Sequence, residues 1–106
     1  MGASWEGFVI EQILGSLDHR GLVHEAFHLR TSDQHEIDLV LEIATGLLAI
    51  EVKLTGAPGP GDMERLNKAA DLIGASKRIL VSQVPRSTDS GRLISSNLPW
   101  FLDHLE

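Results

Sequence analysis

The chain has 106 residues, of which 42% are hydrophobic and 23% charged, and it contains no cysteine. This composition is ordinary for a globular domain, and it excludes disulfides, zinc–thiolate centres and thiol nucleophiles. No apolar run approaches the roughly 20 residues that span a bilayer, and the first residues lack the basic and apolar regions of a signal peptide. We therefore expect a single cytoplasmic domain, 1–106, with no membrane partner.

The net charge of −6 is distributed unevenly along the chain. Residues 1–53 contain three Lys/Arg and nine Asp/Glu, a balance of −6, whereas residues 54–106 contain six of each, a balance of zero. Phosphate contacts dominate the affinity of autonomous DNA binders, which are usually basic. The acidic half therefore predicts that this domain alone binds DNA weakly. It is compatible with a metal site, where carboxylates cluster.

The first predicted element is a helix from its N-cap Ser4 to about Leu17. Its apolar residues fill one side of the helical wheel, and Glu6 falls in the middle of that side, whereas Glu11 falls on the opposite one. A buried carboxylate is costly unless it is paired or bound to a metal. Glu6 is therefore either a functional group or a residue that favours the dipole at the helix start.

A short strand is predicted over 23–30, followed by a turn at 31–34. Apolar and polar residues alternate over 36–43 and again over 47–54, with a hairpin turn at 44–46, which predicts two paired, half-buried strands. In this pattern Ile37, Leu39, Leu41 and Ile43 share one face, and Glu36, Asp38, Val40 and Glu42 share the other.

The hairpin brings three charged residues together. If Thr45-Gly46 is a two-residue loop, Asp38 lies opposite Lys53 and diagonal to Glu51, on one face of the sheet. Two carboxylates at that spacing can share one cation, and Asp and Glu are the hard oxygen ligands that Mg²⁺ and Mn²⁺ take. A one-residue slip of the register would break this arrangement.

The remaining pattern completes a mixed α/β fold. It contains a Gly/Pro-rich loop at 56–61, a helix from the cap Asp62 to Ile73 before Gly74, a strand over 78–84, a polar loop over 86–91 and a helical turn with Pro99 at its first position. The order is α-β-β-β-α-β with a short C-terminal element. We expect a mixed central sheet flanked by helices.

This order and its charged motif resemble the PD-(D/E)XK nuclease superfamily, whose core is the restriction-endonuclease-like αβββαβ fold. Asp38 matches the motif's aspartate, with Ile37 where some members have proline, and Glu51-Val52-Lys53 matches (D/E)-x-K. The segment Gly2-Ala3-Ser4-Trp5-Glu6 resembles the Gly-x-x-x-Glu of archaeal Holliday-junction resolvases. That likeness gives Glu6 the acidic position on the first helix.

The same segments together resemble, more narrowly, the C-terminal nuclease-like domain of unknown function of prokaryotic AAA+ ATPases. This likeness implies that 1–106 is a domain excised from a longer chain, with the ATPase module of that chain as its partner. The sequence itself has no P-loop motif. Resolvase-like relatives imply a homodimer, by analogy alone.

The resemblance implies a nuclease that uses Mg²⁺ or Mn²⁺ to hydrolyse nucleic acid. Asp38 and Glu51, with the main-chain carbonyl of Val52, would bind the metal. Lys53 would orient the attacking water or neutralise the transition state, and Glu6 would hold a second metal or a metal-bound water. The implied catalytic set is therefore Glu6, Asp38, Glu51 and Lys53.

Alternatives remain at each of these positions. Asp38, Glu51 and Lys53 are also compatible with a cross-strand salt-bridge ladder on a wet sheet face. The whole domain is compatible with a catalytically silent interaction or regulatory module of the ATPase, which the acidic charge favours. His35 and Glu36 are interpreted chiefly as surface residues, with a contact to substrate or assistance at the site as the alternative. Four basic residues are equally compatible with a weak phosphate-binding patch and with a solvated edge: Lys77, Arg78, Arg86 and Arg92.

Overall fold

The computed structural model describes residues 4–32 and 35–105, which form one mixed six-stranded sheet with helices on both faces. The elements in chain order are α1 (Trp5–His19), β1 (Glu25–Arg30), β2 (Glu36–Ile43), β3 (Gly46–Val52), α2 (Pro60–Ile73), β4 (Lys77–Val81), β5 (Thr88–Asp89), β6 (Leu93–Ser96) and α3 (Leu98–Asp103). The predicted α/β class, with a mixed sheet flanked by helices, is confirmed. The restriction-endonuclease-like core stays a prediction.

The strand order across the sheet is β1-β2-β3-β4-β6-β5. Strand β2 runs antiparallel to both of its neighbours, β1 and β3, whereas β3, β4 and β6 run parallel, and β5 returns antiparallel to β6. The carboxyl ends of the three parallel strands therefore lie at one edge of the sheet. That edge is where open α/β sheets usually bind ligands.

Helix α1 begins where the sequence predicts, because the Ser4 hydroxyl accepts a hydrogen bond of 3.0 Å from the N–H of Gly7. Its buried residues Val9, Ile13 and Leu17 recur every four positions and pack, together with α3, on one face of the sheet. Helix α2 covers the other face with Leu66, Ala69 and Ala70. The sheet is thus buried on both sides, as the mixed fold requires.

The N-cap of α2 is Gly59 rather than Asp62. Asp62 occupies the third helical position, from which its Oδ2 accepts a hydrogen bond of 3.0 Å from the N–H of Gly59. The predicted stop at Gly74 is confirmed, since this residue adopts a left-handed φ of 65° that favours glycine.

The predicted polar loop over 86–91 contains the two-residue strand β5, and strand β6 follows it. Strand β6 was not predicted, because its four residues include two serines and offer little alternation to detect. Of the predicted turn at 31–34, only Thr31 and Ser32 lie within the described residues. None of the helices in the described ranges is both long and apolar enough to cross a membrane.

The turn between β2 and β3 lies one residue earlier than predicted. Ile43 pairs with Gly46, so the loop is Ala44-Thr45, and Val40 faces Ala49 instead of Glu51. Gly46 has a φ of 133°, and a Cβ at this position would lie 2.8 Å from the Ser76 hydroxyl. The conformation and the close approach both require glycine here, which fixes the hairpin register.

Candidate functional site

The register of β2 against β1 changes next to Asp38. Phe27 pairs with Val40 and Leu29 with Ile37, so two residues of β2 lie opposite the single residue His28 of β1. Such a bulge interrupts the alternation of side chains and re-aims one of them. Accordingly, Ile37 packs in the core under α2 and Leu39 in the core under α1, and the prediction that they share a face is wrong.

The side chain of Asp38 continues the hydrogen bonding between β2 and β3 beyond their last paired residues. The pairing of these strands ends at Leu39 and Ile50, and the Asp38 Oδ2 then accepts a hydrogen bond of 2.9 Å from the main-chain N–H of Val52. The carboxylate takes the place of a main-chain acceptor, so its orientation is fixed by the backbone of β3. Asp38 is half-buried.

Glu51, one residue before Val52, carries the strongest electrostatic signal of the site. Burial first, and then the negative charge of Asp38, raise its pKa to about 7, while Lys53 opposes the shift. Its Oε1 is buried and has no hydrogen-bond partner among the described residues. A buried carboxylate oxygen without a partner is costly, so this oxygen is suited to a proton or a cation.

Glu6 lies at the start of α1, the helix that packs on the face of the sheet opposite α2, and it interacts with Asp38. The sequence places Glu6 on the core-facing side of the helix, but the residue is exposed, so the implied burial of its carboxylate is wrong. Its pKa is nevertheless raised, by partial desolvation first and then by the charge of Asp38 and a hydrogen bond with it, whereas His28 opposes the shift. Asp38 thus lies within electrostatic reach of both Glu6 and Glu51.

Lys53 follows these carboxylates at the carboxyl end of β3. Its Nζ lies 3.8 Å from the Oδ1 of Asp62 on α2, and its side chain is 38% exposed. The ion pairs of the described residues do not join Lys53 to Asp38 or Glu51, so a salt-bridge ladder along the hairpin is not what the structure contains. The predicted pairing of Asp38 with Lys53 is wrong because of the earlier turn.

A cleft of about 470 Å³ separates this end of β3 from α2. Acidic, basic and imidazole side chains line it, with one leucine, and these residues are His35, Glu36, Glu51, Lys53, Asp62, Arg65, Leu66 and Lys68. The helical residues Asp62, Arg65 and Lys68 were not among the predicted site residues. Their spacing of three on the helix that follows the motif strand is the signal that would have found them.

Carboxyl oxygens are the type of donor that a hard divalent cation takes. After burial, the negative charge of Asp38 is the next cause of the raised pKa values of Glu6 and Glu51, so Asp38 interacts with both carboxyl groups. Within 4–32 and 35–105, no three His, Cys, Asp or Glu side chains are already grouped to hold a metal. Mg²⁺ usually takes only one or two carboxylates and completes its shell with water and substrate phosphate.

Two charged residues from the sequence analysis have structural roles. Glu36 forms an ion pair of 2.6 Å with Arg30 on the neighbouring strand. Arg78 is buried with its side chain 3% exposed, and it hydrogen-bonds Ala75, Asn67 and Asp71. Arg78 therefore anchors α2 to β4 and does not belong to a surface patch for phosphate.

Two curated relatives match part of this chain. They are uncharacterized protein Mb2031c of Mycobacterium bovis and uncharacterized protein Rv2008c of Mycobacterium tuberculosis. Each is 38% identical over 58 residues, which is 55% of this chain but 12% of the relative. The chain therefore aligns with a small part of much longer proteins.

The family comparison covers almost the whole chain. Residues 1–101 match the family described as "Domain of unknown function (DUF4143)", which includes the first helix and every strand and helix of the site. The prediction of a domain family of unknown function is confirmed, and attachment to an ATPase stays a prediction. With more than nine-tenths of its length matched, the chain belongs to the DUF4143 family.

Proposed function

We propose that this domain is a phosphodiesterase that uses Mg²⁺ or Mn²⁺ to hydrolyse nucleic acid, attached in longer proteins to an ATPase module. The observation that carries the proposal is the buried, unpartnered Oε1 of Glu51 beside the Asp38 carboxylate. The carboxylates of Asp38 and Glu51 lie on neighbouring strands and repel each other when both are ionised, and a shared cation would remove that repulsion. The motif resemblance and the position at the carboxyl edge of the sheet support the same function.

Asp38 and Glu51 would hold the cation, with the carbonyl of Val52 as the further predicted ligand. When bound, such a metal polarises a phosphate oxygen and lowers the pKa of a water. The Val52 N–H fixes one Asp38 oxygen and so orients the carboxylate. Lys53, at the mouth of the cleft, would neutralise charge on the phosphate, and Glu6 would orient a water on the α1 side.

Calorimetric titration of Mn²⁺ into the domain tests the site. The variant Asp38→Asn removes the charge but keeps an oxygen for the Val52 N–H, and Glu51→Gln removes the second ligand. Glu42→Gln is the matched control, since Glu42 is exposed on β2, the strand that also contains Asp38. We expect saturable binding to the native chain and to the control, with loss in the two site variants. Equal affinities in all four proteins would contradict the assignment.

The second candidate is a silent interaction or regulatory module of the same ATPase. It is favoured by the net charge of −6 and by the lack, within the described residues, of a preformed three-ligand group. A native chain that binds no Mn²⁺ would support this candidate. Deleting the domain from a full-length protein should then change ATP turnover, whereas Glu51→Gln should not.

A further inference from the structure

The cleft between β3 and α2 contains more positive charge than its composition suggests. Its cations are Lys53, Arg65 and Lys68, and its carboxylates are Glu36, Glu51 and Asp62. Glu36 is neutralised by Arg30, which is not among the lining residues. Glu51 and Asp62 therefore remain to balance three cations, and the Oε1 of Glu51 is buried.

Asp62 is the carboxylate that contacts two of these cations directly. It is mostly buried, with 17% of its side chain exposed, and it contacts both Lys53 and Arg65. Its other oxygen accepts the N–H of Gly59 at the helix start. Asp62 therefore holds the ends of Lys53 and Arg65 on the same side of the cleft, and one carboxylate cannot neutralise both.

The cations follow one line along the cleft. Arg65 and Lys68 are three residues apart on α2, so they lie on the same side of the helix with a rise of about 4.5 Å between them. Arg65 is 69% exposed, and Lys68 is also exposed, so both can reach a ligand. The row begins at Lys53, beside the carboxyl group of Glu51, and leads away from it along the helix.

We propose that this cleft is the groove for one strand of nucleic acid, in which Arg65 and Lys68 hold the phosphates next to the one cleaved beside Glu51 and Lys53. The inference rests on the proposed function and names the surface that binds its substrate. A polyanion fits because the three cations outnumber the two carboxylates, Glu51 and Asp62, that remain between them. Phosphate contacts of this kind position a strand without reading its sequence.

The test measures binding without metal, so that cleavage plays no part. Fluorescence anisotropy would follow a labelled single-stranded DNA of about 12 nucleotides, in EDTA and between about 50 and 200 mM salt. The variant Arg65→Ala/Lys68→Ala should bind more weakly, and the slope of log K against log salt should fall by about 1.4, because each lost phosphate contact on a single strand removes about 0.7.

The matched control is Lys77→Ala/Arg86→Ala, which makes the same change in net charge at two exposed positions that do not line this cleft. It should keep the native slope. The variant Arg65→Lys/Lys68→Arg keeps the charges and should restore binding. Equal weakening in the cleft variant and the control would overturn the groove, and so would a native chain that binds no oligonucleotide.

This experiment separates the groove from the catalytic proposal. If the cleft variant loses oligonucleotide binding while the native chain binds no Mn²⁺, the groove stands and the metal-dependent activity is wrong. If Mn²⁺ binding depends on Asp38 but the cleft variant binds DNA like the control, the groove is wrong and the metal site stands. Thermal unfolding of each variant identifies any loss that comes from misfolding.

Discussion

The Oδ2 of Asp38 lies 2.9 Å from the main-chain nitrogen of Val52 and accepts its hydrogen bond. This contact joins a side chain of β2 to the backbone of β3 beyond Leu39 and Ile50, the last pair of their ladder. Asp38 is therefore both a proposed metal ligand and the group that satisfies a main-chain donor. A loss of function in an Asp38 variant has to be separated from a loss of structure.

Replacing Asp38 by alanine and by asparagine should separate these two roles. Asp38→Ala leaves the Val52 N–H without its partner, which we expect to lower the free energy of unfolding by about 1–3 kcal/mol. Asp38→Asn keeps an acceptor oxygen and should cost much less. Urea unfolding of both variants gives the comparison, and equal destabilisation would show that the carboxamide does not reproduce this hydrogen bond.

The raised pKa of Glu51 predicts how stability depends on pH. Its folded pKa of about 7 lies above the ordinary value of 4.5. The contribution of this group is fully present below pH 4.5, because both states are then protonated, and it is lost as the pH rises through about 7. The raised pKa of Glu6 acts in the same direction. The metal-free domain should therefore melt at a lower temperature at pH 8 than at about pH 5.

The variant Glu51→Gln should remove most of this pH dependence. We expect it to be more stable than the native chain at pH 8 by roughly 1–2 kcal/mol, discounted because the side chain is only partly buried. Differential scanning calorimetry between about pH 5 and 8 measures the effect. Glu42→Gln, at an exposed position of β2, should keep the native profile. A Glu51→Gln profile parallel to the native one would contradict the assignment of the shift to Glu51.

The sequence predicts that Asp38 and Glu51 lie close together, and this holds although the predicted turn is one residue too late. The turn lies one residue earlier than expected, which moves each partner by two positions. A shift of two residues by itself leaves each side chain on its face, whereas a shift of one does not. The separation of Ile37 and Leu39 onto opposite faces comes instead from the bulge in β2. If the observed pairing is continued by one residue beyond Leu39 and Ile50, Asp38 lies opposite Glu51 instead of diagonal to it.

Other parts of the site depend on tertiary contacts that periodicity does not encode. The position of Lys53 beside Asp62 is set by how α2 packs on the sheet, at a distance of 3.8 Å between the charged atoms. Glu6 lies in the first turn of α1, and it is exposed although Val9, Ile13 and Leu17 of the same helix are buried. The helical wheel assigns a direction to Glu6, but it cannot give the fraction of the side chain that is buried.

The hairpin register provides a prediction that needs no metal. Gly46→Ala places a Cβ 2.8 Å from the Ser76 hydroxyl at a φ of 133°, and we expect it to lower the free energy of unfolding by about 1–3 kcal/mol. Gly15→Ala is the control, because a Cβ there meets nothing within 4 Å inside helix α1. It should stabilise the domain by roughly 0.5–1 kcal/mol. Denaturant unfolding of both variants tests the pair, and a neutral Gly46→Ala would mean that glycine does not fix the turn.

The affinity for Mn²⁺ should itself depend on the protonation of Glu51. A cation competes with the proton for this carboxylate, whose pKa without metal is about 7, so binding should weaken as the pH falls below that value. We expect roughly a tenfold loss of affinity per pH unit below the pKa, down to the pH at which other groups protonate. Calorimetric titrations at about pH 6, 7 and 8 measure this loss of affinity.

Asp38→Asn removes the second-largest cause of the raised pKa of Glu51, so any residual binding of Mn²⁺ in that variant should weaken at a lower pH. An affinity that does not change between pH 6 and 8 would show that the cation binds without displacing a proton from Glu51, and the ligand assignment would then be wrong.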